Sequence, residues 1–148
     1  MKLIIGADHG GYILKNQLSD WLKEEKYEVE DIGVFNSESV DYPDLAKKVA
    51  EGVTSGKFDK GILVCGSGVG VAIAANKVSG IRAANCHDVV LARLSREHND
   101  ANIITLGGRF VARELAIEIL KVWLVTEFSG GRHENRIAKI KEMEKNKL

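Results

Sequence analysis

Apolar residues follow two alternating patterns along this chain. Short runs, LIIGA (3–7), GILVC (61–65), IRAANC (81–86) and NIITLG (102–107), read as strands, and YEVEDIG (27–33) reads as a weaker one. Between them, apolar positions recur at helical spacing. Leu14, Leu18, Trp21 and Leu22 share one face, as do Leu45, Val49 and Val53 in a helix that stops near Gly56. VAIAANKV (71–78) is small and apolar enough to pack closely on a sheet, and DVVLARLSREH (88–98) is helical. Ala112, Leu115, Ala116, Ile119, Leu120 and Trp123 form a broad stripe, and a last helix begins near Arg132 and carries Ile137 and Ile140. The only proline, Pro43 in DYPDLA, suits the first position of a helix. Alternating charges in KIKEMEKNKL predict a solvated helix face that frays at its end.

Strand followed by helix, five times over, predicts an α/β protein. The expected fold is three-layer α/β/α and Rossmann-like, with a five-stranded parallel sheet, helices on both faces and a C-terminal helix. Right-handed crossovers bring the carboxyl ends of all strands to one rim, where ligands bind in such sheets. Asp8, Cys65 and the glycine loop after it fall just past strand ends, on that rim.

At 148 residues the chain reads as one domain, 1–148. Its 21 basic and 21 acidic residues cancel, which argues against nucleic acid or an anionic membrane as the main partner. No apolar run approaches the roughly 20 residues of a bilayer span, and no signal-peptide pattern precedes the first strand. Cys65 and Cys86 form neither a disulfide framework nor a zinc spacing, so a reducing cytoplasm is the expected setting.

Four motifs carry candidate chemistry. In CGSGVGVA (65–72), glycines allow close backbone approach, and a helix starting near Val69 points its free amides at the loop. That arrangement suits an anion or a developing oxyanion and favours a thiolate at Cys65. It equally suits a small buried cysteine before a structural turn. Sharper matches fail: Val71 stands where the dinucleotide fingerprint needs glycine and where a thiol phosphatase needs arginine, and no Walker Gly-Lys-Ser/Thr follows. In GADHGG (6–11), Asp8 and His9 end the first strand, either as a helix cap or as functional groups, and no metal-ligand spacing accompanies them. His98 and Asn99 end a helix, which places them on the opposite rim. There they act as a C-terminal cap or, if functional, serve a neighbouring subunit. Arg109, after LGG, lies past the next strand and can face a ligand. Arg132 and Arg136, four apart in GGRHENR (130–136), crowd a helix N-terminus. They call for a compensating anion such as phosphate, or a carboxylate such as Glu134.

Taken together, DHGG (8–11), SVDYPD (39–44), CGSGVG (65–70), HNDAN (98–102), LGGR (106–109) and GGRHENR (130–136) resemble the type B ribose-5-phosphate isomerase family. That family also includes isomerases of allose and galactose phosphates. The resemblance spans essentially the whole chain. It implies a homodimer or a tetramer with a site shared between subunits, a phosphorylated sugar as substrate, and neither metal nor cofactor.

By resemblance, Cys65 is the base that moves a proton between carbons 2 and 1. Ser67 and the amides of Gly66, Gly68 and Gly70 steady the enediolate. Asp8 contacts sugar hydroxyls, the partner's His98 opens the furanose ring, Asn99 supports the open chain, and Tyr42 lines the site. His9, Arg132, Arg136 and Arg109, the last from the partner subunit, hold the phosphate. Some relatives carry a glutamate base where this chain has Val71, which places it in the cysteine-dependent branch. Many members of that branch have threonine in place of Ser67, which adds room here. The His98-Asn99 and Arg132-His133 pairs favour ribose 5-phosphate over galactose 6-phosphate. His87 reads as structural, His133 as peripheral to the site and Cys86 as core. Two competing readings are a hydrolase built on Cys65, His98 and Asp8, and a non-catalytic phosphosugar-binding module built on Arg132 and Arg136.

Overall fold

The structure, a computed structural model, describes residues 1–146. Five parallel strands, β1 (Lys2–Ala7), β2 (Glu28–Asp31), β3 (Lys60–Cys65), β4 (Ala83–Asn85) and β5 (Ile103–Gly107), form one sheet in the order β2-β1-β3-β5-β4. The helices are α1 (Tyr12–Glu24), α2 (Tyr42–Thr54), α3 (Val69–Ala75), α4 (Val89–Glu97), α5 (Arg113–Val125) and α6 (Arg132–Lys145). The three-layer architecture expected from the sequence is the one observed.

The central strands are apolar runs because both faces are covered. Alternate residues enter two cores. Leu3, Ile5, Ile62, Ile104 and Leu106 pack with Leu18, Leu22, Leu120 and Trp123 of α1 and α5. Ile4, Leu63 and Ile103 pack with Val49, Val53, Val71 and Ala75 of α2 and α3. Each large side chain so buried contributes roughly 1.5–3 kcal/mol. β2 and β4 are the edges, and their residues are correspondingly half-covered.

Several boundaries differ from the sequence expectation. β4 is only three residues long, with Ile81 and Cys86 buried outside it. α3 ends at Ala75 because the Asn76 carboxamide pairs with both the N–H and the C=O of Ala83, at 2.8 and 2.9 Å, and turns the chain. Pro43 occupies the second helical position of α2, after Tyr42. Leu115 and Ile140 are exposed, since the apolar stripes of α5 and α6 are wider than the faces they bury. The acidic and basic tail is not wholly solvated: Glu144 accepts from Ser79 Oγ at 3.2 Å and Gly80 N at 3.0 Å. The expected fraying at its end falls on residues 147 and 148, outside the described residues. No helix among the described residues is long and apolar enough to cross a membrane.

Candidate active site

From β1 the chain turns towards β2, whereas from β3 it turns the other way, towards β4. The carboxyl ends of β1 and β3 therefore diverge, and the crevice between them is the natural ligand position in an open parallel sheet. Three loops meet there in direct backbone contact. Asp8 N donates to Val64 O at 3.2 Å, Gly108 N to Cys65 O at 2.7 Å, and Arg109 N to Gly66 O at 3.1 Å. A side chain at Gly10 would meet Gly66 N at 2.9 Å, and one at Gly108 would meet Gly10 O at 2.8 Å. Such approach between main chains is what the glycines of DHGG, CGSGVG and LGG permit.

Cys65 ends β3 and is buried, and its Sγ accepts a hydrogen bond from Gly68 N at 3.0 Å. A peptide N–H aimed at the sulfur stabilises negative charge there. Ser67 Oγ accepts from Val69 N at 3.2 Å in the same turn. Asp8 is buried, and its Oδ1 accepts from Gly10 N at 2.9 Å and Gly11 N at 3.1 Å. Asp8 does not cap α1, whose N-cap is Gly11 with no side-chain bond; it closes the turn before the helix, and that turn fixes the carboxylate at the rim. Asp8, His9 and Tyr42, with the 39–44 segment, line a cleft of about 480 Å³. His9 Nδ1 faces Val40 N at 3.5 Å. Tyr42 lays its ring against Gly70, where an added methyl would sit 2.7 Å from its Cζ. The Arg109 guanidinium covers Gly66, with Nη1 3.1 Å from where a Cβ would lie. Asp8, His9, Tyr42, Cys65, Gly66, Ser67, Gly68, Gly70 and Arg109 thus share one rim, with Arg109 placed there by the chain's own β5.

His98, Asn99, Arg132 and Arg136 do not join them. His98 is the C-cap of α4, which runs back to the amino rim, and its ring stacks on His133 with centroids 4.3 Å apart. Asp100 and its neighbours hold this turn. Arg96 Nη1 meets Asp100 Oδ1 at 2.8 Å, Arg82 Nη2 meets Asp100 Oδ2 at 3.1 Å, and Arg82 Nε donates to the Asn99 carbonyl at 2.9 Å. Arg132 and Arg136 are exposed at the start of α6, and among the described residues neither forms an ion pair, with Glu134 or otherwise. His133 is buried, which holds its imidazole below the ordinary histidine range, and the charges of His98, Arg132 and Arg136 act in the same direction.

One rim thus offers a thiol, a carboxylate and inward amides, a set suited to proton transfer and oxyanion stabilisation. The other offers imidazoles and two uncompensated arginines, a set suited to a phosphate. Among the described residues no group of three His, Cys, Asp or Glu is placed to hold a metal ion. Cys86 lies in the core, where burial pushes its thiol up to about 11. His87 is exposed and takes no part in the core.

Among the buried polar groups that sequence reasoning missed, two are fully buried. Lys15, fully buried on the apolar face of α1, is paired with Asp31 at 2.8 Å. Thr105, fully buried in β5, donates to Gly68 O at 2.7 Å. Thr105 is the one polar residue inside IITL, but threonine is an ordinary strand residue, so nothing in the run marks it out.

Known proteins share this sequence and fold. Residues 3–140 match the model of a family described as Ribose/Galactose Isomerase. Ribose-5-phosphate isomerase B of Escherichia coli is 47% identical, over 97% of this chain and 96% of that protein. The structure of ribose-5-phosphate isomerase B from Clostridium thermocellum superposes with a TM-score of 0.97 at 58% identity, covering 98% of each chain. That of the Mycoplasma genitalium ribose-5-phosphate isomerase B with bound ribulose 5-phosphate does so at 0.94 and 42% identity, covering 99% of this chain and 97% of the other. The glycine-laced rim and the full-length match lead to one conclusion: this chain belongs to the ribose/galactose isomerase family.

Proposed function

We propose that this chain, acting as a single isomerase domain, interconverts D-ribose 5-phosphate and D-ribulose 5-phosphate, with Cys65 as the general base. The observation that carries the reading is the Gly68 N–H donated to Cys65 Sγ at 3.0 Å, at the point where β1 and β3 diverge. Cys65 as thiolate takes the proton from carbon 2 of the open-chain aldose. The electron pair moves into a C1–C2 double bond, and the carbonyl oxygen at carbon 1 gains negative charge. Loop amides and Ser67 steady that oxygen. The thiol then returns a proton to carbon 1 while the oxygen at carbon 2 loses its own and becomes the ketone. Asp8, whose Oδ1 is already held by two amides, is placed to relay protons between the oxygens. Hydrogens are conserved overall, as isomerisation requires.

The phosphate end calls for a second chain. His98, Arg132 and Arg136 lie on the amino rim, so one subunit does not bring them to its own Cys65. We place them in the partner's site within a homodimer, opening the furanose ring and gripping the phosphate remote from the reacting carbons. Arg132 and Arg136 then cross the interface, whereas Arg109, which the resemblance gave to the partner, comes from the chain's own β5. Binding energy at that remote group then positions carbons 1 and 2 against the sulfur. Free thiols and a phosphorylated metabolite suit the cytoplasm.

A hydrolytic triad within one chain is disfavoured, because Cys65 and His98 sit on opposite rims. Cys65→Ala is expected to lower kcat by at least about 1,000-fold while ribose 5-phosphate still binds, measured by coupled assay and calorimetry. Near-normal turnover in that variant rules out the thiol base. Parallel kinetics with allose 6-phosphate and galactose 6-phosphate decide the preferred sugar, which the space beside Ser67 is expected to influence.

A further inference from the structure

We infer that Thr105 of β5 is a positioning residue of this centre: its buried hydroxyl holds the Gly68 carbonyl and so fixes the loop after Cys65, with the Gly68 N–H on the sulfur and the Val69 N–H on Ser67 Oγ. The inference deepens the reading of Cys65 as base and rests on it.

Thr105 lies between Ile104 and Leu106, which face the α1–α5 core, so by alternation it points with Ile103 towards α2 and α3. It is fully buried there, where an aliphatic residue would be the cheaper occupant. Its Oγ1 instead donates to Gly68 O at 2.7 Å. That carbonyl already accepts the Ala72 N–H at 3.3 Å, as the first turn of α3 requires. The second bond is therefore not needed to satisfy the oxygen. What it adds is direction.

In a trans peptide the C=O and N–H point opposite ways. With the Gly68 carbonyl drawn to β5, the Val69 N–H faces away from the sheet and meets Ser67 Oγ at 3.2 Å. The preceding plane is arranged alike. The Asn85 carboxamide lies 3.5 Å from its Ser67 carbonyl, and its Gly68 N–H meets Cys65 Sγ at 3.0 Å. Two successive planes are thus tethered at their carbonyls by β5 and β4, leaving their positive ends on the functional groups.

A tether is needed because Gly68, at φ +80°, has glycine's freedom to rotate. Rotation of either plane would set a carbonyl oxygen against the thiolate or the enediolate and turn a stabilising dipole into a repulsive one.

The test compares Thr105→Val, Thr105→Ser and Thr105→Ala in the full-length chain. It reads kcat and KM for ribose 5-phosphate, and the rate at which iodoacetamide alkylates Cys65 at pH 7, mapped by peptide mass to separate it from Cys86. Thr105→Val is expected to lower kcat about tenfold or more with KM within about twofold. It is also expected to slow alkylation about threefold or more. Thr105→Ser is expected to restore both, and Thr105→Ala to behave as the valine variant. Wild-type kcat and alkylation in Thr105→Val or Thr105→Ala would overturn the inference. So would a serine variant as impaired as the alanine one, since both open a similar gap and differ in the hydroxyl. If Thr105→Val fails to fold, the serine–alanine comparison decides. If Cys65→Ala stays active, the base assignment fails, while the alkylation rates still report whether Thr105 orients the loop.

Discussion

At Gly68 one residue meets three demands. Its φ of +80° lies in the left-handed region, a Cβ there would meet the Asn85 Oδ1 and the Leu106 carbonyl carbon, and its amide is the donor to Cys65 Sγ. Gly68→Ala is expected to cost about 2–4 kcal/mol, from left-handed strain and the forced shift of β4 or β5. It is also expected to lower kcat by about 100-fold or more as the amide leaves the sulfur. Urea unfolding and steady-state rates measure the two effects, and an alanine variant of ordinary activity would contradict the role given to this loop. The glycines and Cys65 were legible in the sequence because their chemistry is local: a strand, a thiol and three glycines in six residues can be read without knowing the partners. Thr105 was not, because threonine is an ordinary strand residue and its partner lies 37 positions away. Asp8 shows the converse. A helix cap was the structural alternative for it, but Asp8 closes the turn ahead of α1 instead, and that turn holds the carboxylate at the rim.

Among the elements, β1, β3 and β5 were legible since burial on both faces demands continuous apolar runs. β4 and the end of α3 were not, because side-chain bonds from Asn76 to Ala83 set them rather than periodicity. Strand ends hide the remaining surprises. Lys60 opens β3 with its Nζ 3.3 Å from Leu124 O and 5.1 Å from the centre of the Trp123 ring. Burial pushes its ammonium down to about 8, with Arg96 acting in the same direction and Asp100 and Asp59 opposing. A lowered value means that the folded state resists the proton, so between about 8 and 10.5 the unfolded chain binds more protons and stability rises with pH. Below that window the charged amine is a standing cost, offset in part by Leu124 O and the ring. Lys60→Met keeps the stem and removes the titration. The stability of wild type minus variant is therefore expected to rise as pH increases from 8 to 10.5, measured by urea unfolding at each pH. A difference that stays flat across the window would mean that the amine is as well solvated folded as unfolded.

The whole molecule divides its chemistry between two rims about a single sheet. Each α/β unit sends the chain up a strand and back down a helix, so residues closing strands and residues closing helices lie on opposite rims. That rule placed Cys65 and Asp8 on one and His98 on the other from sequence order alone. The contacts that would bring the two rims together are intermolecular, and one sequence carries no register for them. If two copies dock rim to rim, each site takes Cys65 from one subunit and His98, Arg132 and Arg136 from the other. Cys65→Ala and His98→Ala subunits are then each inactive alone. In a hybrid dimer one site carries both substitutions and the other carries neither. After random exchange at equal amounts, half the dimers are hybrids and half of their sites are intact. Activity is therefore expected to recover to about one quarter of wild type, as a two-fold shared site requires. Native mass spectrometry verifies the exchange. Hybrids that form and remain inactive would place each site within a single subunit, leaving the amino-rim arginines and His98 without their proposed role.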